Sequence, residues 1–279
     1  TQAGWNPSSP DEVVPVQTVT KNGERPQDAT ANDSLSHASV LQTIAEHTRD
    51  VCEEIAAILT DLQVLEGPAL VLAARWHDRG KAHDEFQAAL PDGVADGVNF
   101  WAKAPGQWKR YKRRHFRHEL ASALAVLERP DDPLHTLRDL SDGDLDLVAY
   151  LVAAHHGKVR LSIRSLPNEL RPDGNRRFAR GVWEGDTLRA VDLGDGVIAP
   201  AVRLSLEPME LGLCEHPPFA QQPSWAERVI RLRETLGPFR LAYLEALVRA
   251  ADMRASKAKQ ERGGANRAET TRCEGAHHA

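Results

Sequence analysis

Cysteine is scarce: Cys52, Cys214 and Cys273 are the only three in 279 residues, and no two stand in a Cys-x-x-Cys spacing. That excludes a disulfide framework and a thiolate zinc site and suits a reducing compartment, so the cytoplasm is the expected location. Long apolar runs are missing as well. None approaches the roughly 18 to 20 residues needed to span a bilayer, and the N-terminal residues lack a basic-then-apolar signal pattern, so no membrane partner is expected. Positive charge is not in excess, because 35 Lys and Arg against 40 Asp and Glu leave a formal net charge of -5. Wholesale electrostatic coating of nucleic acid is thereby disfavoured, although local basic stretches remain open. No Gly-x-x-x-x-Gly-Lys-Ser/Thr stretch occurs, so the chain carries no helicase engine of its own. There is no internal repeat.

What is present suits one substantial core: the chain is 41% hydrophobic and 27% charged, enough for a single globular domain with loose ends. Residues 1–35, with Pro7, Pro10, Pro15 and Pro26 among polar residues, are expected to be a disordered linker. Residues 36–257 form the domain, and 258–279 a disordered tail that includes His277 and His278. Within the domain, helical spacing dominates. A helix is expected from Ser34 or Ser36, with Val40, Ile44, Val51, Ile55, Ile58 and Leu62 on one stripe. Gly67-Pro68 opens a second helix, which runs through Leu70, Ala73 and Ala74 to His77-Asp78 and is stopped by Gly80. A short helix over His83–Leu90 follows. Residues 92–117 are expected to hold no regular element. Core helices then begin at His118 and after Asp142, the latter closing on His155-His156. Leu188–Leu193 and Val197–Leu206 alternate around Gly194-Asp195-Gly196 and are expected to pair as a small β-hairpin broken at Pro200. Ser224-Trp225-Ala226-Glu227 reads as a capping box. A last core helix runs from Phe239 through Leu244 and Val248 to Asp252. The fold class is all-α with a small β-hairpin insertion.

Against this frame, several polar residues fall where apolar ones belong. His47 lies three after Ile44 and four before Val51, so its ring points inward. His77 is on the buried face of its helix, with Asp78 one step round. His118 opens one core helix, His155 and His156 end another, and Asp252 is one turn past Val248. Singly, each has an ordinary explanation, such as a core histidine bonded to a carbonyl. Together, His47, His77, Asp78, His118, His155, His156 and Asp252 supply seven ligating groups from different helices. That exceeds one tetrahedral zinc and matches two ions sharing a bridging carboxylate. Imidazole-rich ligation favours manganese, iron, cobalt or nickel over magnesium. Two basic stretches flank these groups. Trp108 to Arg117 interleaves aromatics with Lys109, Arg110, Lys112, Arg113 and Arg114, a pattern that suits a single strand's phosphates and exposed bases. Lys158 and Arg160 begin a second stretch that reaches residue 180. A solvated basic loop is the competing reading of both.

The order histidine, His-Asp, further histidines and a distant aspartate resembles the HD phosphohydrolase superfamily. His77-Asp78-Arg79-Gly80-Lys81 with Phe86-Gln87, Arg117-His118-Glu119, Ala154-His155-His156-Gly157 and Ala251-Asp252 through Ser256 is similar to the HD nuclease domain of the type I CRISPR-associated helicase-nuclease. Gly157-Lys158-Val159-Arg160, the run Gly181–Asp186 and the run Gly237–Glu245 resemble most the subtype whose HD domain is C-terminal. Arg79 stands where that family usually carries an aliphatic residue. The resemblance implies an HD-type helical bundle and metal-dependent hydrolysis of single-stranded DNA in CRISPR interference, an antiviral defence. It further implies one ion on His47, His77, Asp78 and Asp252, and a second on Asp78, His118, His155 and His156. Lys81 would steady a phosphate oxygen as a catalytic residue beside Asp78. A helicase domain or chain and a CRISPR surveillance complex are the implied partners. Two alternatives stand beside it: an HD-family phosphohydrolase acting on small nucleotides, and a metal-stabilised docking module without activity.

Overall fold

The computed structural model describes residues 40–130 and 137–275, with side chains as far as Glu261. The linker expected over 1–35 lies outside the described residues. β1 (Gln42–Thr43) leads straight into α1 (Ile44–Asp61), and the cap explains the join. Thr43 Oγ1 accepts from Glu46 N at 3.2 Å while Glu46 Oε2 accepts from Thr43 N at 2.9 Å, a reciprocal capping box. The helix therefore begins later than the start expected at Ser34 or Ser36. Ile44, His47, Val51, Ile55 and Ile58 are buried along it as the stripe requires, but Leu62 falls past its end and is partly exposed.

α2 (Gly67–Trp76) starts at Gly67-Pro68 and hands over to His77, whose φ of -57° and ψ of -40° keep it helical. Asp78, at φ -100° and ψ 7°, then turns the chain into a 3-10 turn over Arg79–Ala82. Gly80 sits inside that turn and does not stop α2, which corrects the sequence reading. A Cβ at Gly80 would stand 2.1 Å from the carbonyl oxygen of His118, and Gly80 N donates to Ser122 Oγ at 2.7 Å. The glycine is there for close approach of two backbones. α3 (Asp84–Ala88) follows, capped by His83 Nδ1, which accepts from Glu85 N at 2.9 Å.

Residues 92–117, expected to be irregular throughout, contain β2 (Trp101–Lys103), antiparallel to β1 with Gln42 opposite Lys103. A tertiary contact holds it: the Gln87 amide donates to Trp101 O at 2.9 Å and accepts from Trp101 N at 3.2 Å. No local periodicity records such a bond. α4 (His118–Leu127) is buried along its whole length, and α5 (Asp142–Ala154), capped by Ser141, is buried from Leu145 onward. α4 packs on α5 and the 3-10 turn, α2 packs on α1, α5 and α7, and α1 also packs on α7.

The loop-rich segment between α5 and α6 carries short pairs of strands. β3 (Phe178–Ala179) pairs with β4 (Val182–Trp183). β5 (Thr187–Leu188), β6 (Val191–Asp192), β7 (Ile198–Ala199) and β8 (Val202–Arg203) build the expected hairpin in two steps. Val191 faces Ala199 in the inner step and Leu188 faces Val202 in the outer one. The interruption at Pro200 follows from its missing amide hydrogen. Arg75 of α2 ties the hairpin tip down, donating to Leu193 O at 3.0 Å and to Asp195 Oδ2 at 2.9 Å. α6 (Trp225–Leu236) begins under Ser224, and α7 (Pro238–Gly275) follows Gly237 at φ 80°. α7 continues to Gly275, past the domain boundary expected at 257. Its residues after Ser256 are rich in Ala, Lys, Glu and Arg, which favour helix. Helices thus build the fold, with small hairpins inserted.

Candidate metal centre

Five elements deliver the predicted residues to one place. His47 comes from α1, His77 and Asp78 from the end of α2, His118 from the first position of α4, His155 and His156 from the end of α5, and Asp252 from α7. Exposure is 0% for His47, 1% for His77, Asp78 and His155, and 3% for His118 and Asp252, while His156 is half-buried. His47, His77 and Asp252 form one group and His118, His155 and His156 another, the ligand atoms of each lying within 4.8 Å of one another. Asp78 stands between them. Its Oδ2 is 3.4 Å from His47 Nε2 and 3.3 Å from His77 Nε2, and its Oδ1 is 3.3 Å from His118 Nε2. His47 Nε2 is also 3.1 Å from Asp252 Oδ1.

The chemistry of the donors fits divalent cations. His77 Nδ1 lies 2.7 Å from Ala74 O, and His155 Nδ1 lies 2.6 Å from Val152 O. A proton on each Nδ1 leaves the Nε2 lone pair facing the centre, which is how a neighbouring carbonyl orients a ligating imidazole. His77 Nε2, His155 Nε2, both His47 nitrogens and Asp78 Oδ2 are buried with no hydrogen bond among the described residues. Their close contacts are with one another, for His47 also with Asp252 and for Asp78 also with Lys81, and buried imidazole nitrogens left without a hydrogen bond are costly unless a cation takes their lone pairs. Burial, reinforced by Lys103, lowers His47 to about 4, and burial likewise lowers His118 and holds His155 well below the ordinary histidine range. Neutral imidazoles result, as ligation demands. His77 differs: burial depresses it, but the Asp78 carboxylate outweighs burial and raises it. Burial would raise Asp78, yet His77 and Lys81 hold it well below the carboxylate range, and Lys103 and His47 do the same for Asp252.

Lys81, expected to face a phosphate, is turned onto Asp78, its Nζ 3.0 Å from Oδ2 and 3.3 Å from Ala102 O. Sequence reasoning missed Lys103. It is buried on β2, donates to Ser256 Oγ at 2.6 Å and lies 3.8 Å from Asp252 Oδ1. No local pattern marked it, since Ala102, Lys103 and Ala104 are all buried and the pairing of β2 with β1 places them. Arg79, the departure from the aliphatic residue, is fully buried and donates to the carbonyls of Arg189 at 2.7 Å and Pro200 at 3.0 Å. It fastens the 3-10 turn to the hairpin.

The basic residues divide. Lys109, Arg110, Lys112, Arg114 and Lys158 are exposed, Lys109 being 2.7 Å from Asp92. Arg113 is instead built into the fold, bonded to Asp186, 3.8 Å from Glu85 Oε2 and 3.8 Å over the Trp183 ring. Arg160 is exposed but paired, its Nε 2.9 Å and Nη2 2.8 Å from Glu245 Oε2. Phe116 is buried, and Trp108 packs on Phe86 with ring centroids 5.3 Å apart, as Tyr111 does on Phe116 at 5.4 Å. These aromatics anchor the loop to the core, Phe116 wholly and Trp108 and Tyr111 while half-buried, because interleaving lets the loop bury its apolar side and keep its cations in water.

The Cas3, HD domain family model matches residues 28–222, a span that includes His47, His77, Asp78, His118, His155 and His156 and stops before Asp252. No curated protein and no solved structure matches the chain. A match over well more than half of the chain, on helices that converge around a His-Asp pair, makes it a member of the Cas3 HD-domain family, the metal-dependent nucleases of CRISPR systems.

Proposed function

We propose that the chain hydrolyses phosphodiester bonds of single-stranded DNA at two divalent ions. The observation that carries this reading is the placement of Asp78, one oxygen toward His47 and His77 and the other toward His118. His47, His77, Asp78 and Asp252 would hold one ion and Asp78, His118, His155 and His156 the other, with manganese, iron, cobalt or nickel preferred over magnesium. Such ions supply a deprotonated water and neutralise charge on the attacking and leaving oxygens. The chain's own contributions are distinct. Ala74 O and Val152 O fix the rings of His77 and His155, and Lys81 keeps Asp78 ionised. Burial excludes bulk water, and half-buried His156 marks the approach.

Single-strand preference follows from that recess, since an exposed strand can thread to atoms that a paired duplex cannot reach. Lys109, Arg110, Lys112, Arg114 and Lys158 carry the strand electrostatically. Arg113 and Arg160 contribute by holding the loops in place. A helicase domain or chain, within a CRISPR surveillance complex, supplies the displaced strand. Depth also suits a second reading, hydrolysis of small nucleotides, although an exposed row of cations exceeds what a mononucleotide needs.

The test pairs metal analysis with cleavage. Asp78→Ala is expected to lose both ions and all activity, whereas His47→Ala chiefly weakens one ion. Unchanged metal content in the Asp78 variant would sink the two-ion reading. With manganese, cobalt or nickel, single-stranded circles should be cut in preference to blunt duplex and to deoxynucleoside monophosphates. Preference for the monophosphates would promote the second reading.

A further inference from the structure

The carboxylates of the centre are already matched by buried cations. Lys81 Nζ is 3.0 Å from Asp78 Oδ2, and Lys103 Nζ is 3.8 Å from Asp252 Oδ1. Ser256 reinforces the second pair: it accepts from Lys103 at 2.6 Å and donates to Asp252 O at 2.7 Å. Both lysines converge on β2, which carries Lys103 and offers Ala102 O to Lys81 at 3.3 Å. Glu119, behind His118, adds no surplus negative charge, because Arg117 Nε is 3.9 Å from its Oε1. The Arg79 guanidinium is taken up by the hairpin, on the carbonyls of Arg189 and Pro200, and does not enter this balance.

With two lysines against two carboxylates, the centre is therefore close to neutral before any divalent ion is bound. Each ion adds two positive charges where like charges repel several times more strongly than in water. The compensating negative charge has to come from outside, and a phosphodiester is the anion this site would receive.

We propose that Lys103, acting with Lys81, makes uptake of an ion by the His47, His77 and Asp252 group depend on arrival of a phosphate anion, so that metal loading and substrate binding are positively coupled. The inference rests on the two-ion reading. Coupling is reciprocal: whatever factor phosphate gives to the ion, the ion gives to phosphate. A lysine that merely oriented Asp252 would have the opposite signature, because its loss would weaken the ion.

The experiment is calorimetric titration of the full chain with manganese, with and without inorganic phosphate, for the wild type, Lys103→Met and Lys103→Arg. In the wild type, phosphate should tighten the weaker ion by about tenfold or more. In Lys103→Met that ion should bind tightly without phosphate, with the phosphate effect much reduced, and Lys103→Arg should restore wild-type behaviour. Thermal melting identifies a variant that has lost its fold, and the wild-type comparison stands without any variant. Two ions bound identically with and without phosphate would overturn this inference alone. So would a folded Lys103→Met that loses the ion. A wild type that takes up no second ion under either condition would sink the two-ion reading itself.

Discussion

At the scale of single residues, Gly80 does most to bring the centre together. It presses the turn after His77-Asp78 against the first turn of α4, so the distance between Asp78 and His118 depends on the absence of a side chain there. Gly80→Ala should destabilise the protein by about 1–3 kcal/mol or more, as overpacking does, and should reduce metal content in the fraction that stays folded. Denaturant unfolding and metal analysis on one preparation check both, and wild-type stability would contradict the close approach. The sequence showed the histidines and aspartates because helical spacing put polar residues on buried stripes. It did not show Lys103, since a lysine is ordinarily read as a solvated residue and its partners, Asp252 and Ser256, lie far along the chain.

At the scale of elements, helix starts were legible where the local sequence marks them, by a first-turn proline at Gly67-Pro68 and by the Ser224 cap, and element positions were illegible where a tertiary bond decides. β2 is the clearest case, held by Gln87 and by pairing with β1. The end of α4 gives a pH prediction. Glu128 accepts from Ser205 N at 3.1 Å, and burial raises its carboxyl from 4.5 to about 7. Between those values the folded protein holds a proton that the unfolded chain has released, so this group's contribution to stability is present below 4.5 and is lost as pH rises through 7. Glu128→Gln should flatten the fall in melting temperature over that interval, and an unchanged slope would remove Glu128 as its source. The loop after His156 is tied to α7 by Arg160, Glu245 and the Tyr150 hydroxyl. Glu245→Gln should loosen that tie and, on the proposed ligand set, weaken an ion at His118, His155 and His156 more than its neighbour, which metal titration would resolve.

At the scale of the molecule, a net charge of -5 coexists with an exposed basic row, and folding sorts which cations remain available. Neutralising Lys109, Arg110, Lys112 and Arg114 together should leave melting temperature unchanged while lowering strand affinity and its salt dependence, by about 0.7 in slope for each phosphate that is no longer neutralised. Arg113→Ala should do the reverse, lowering melting temperature through Asp186 and Trp183. If both sets behave alike, the division between solvated and built-in cations fails. Composition could announce the basic stretches but not this division, because acceptors such as Asp186 and Glu245 are distant in sequence. The placement of Asp252 on α7 has a consequence for timing. Synthesis reaches the other six residues of the centre well before it reaches α7, so on the proposed ligand set a nascent chain would lack one carboxylate of the first metal group until α7 has been made. With that site, activity would arrive late, with the docking of the last core helix onto α1 and α2.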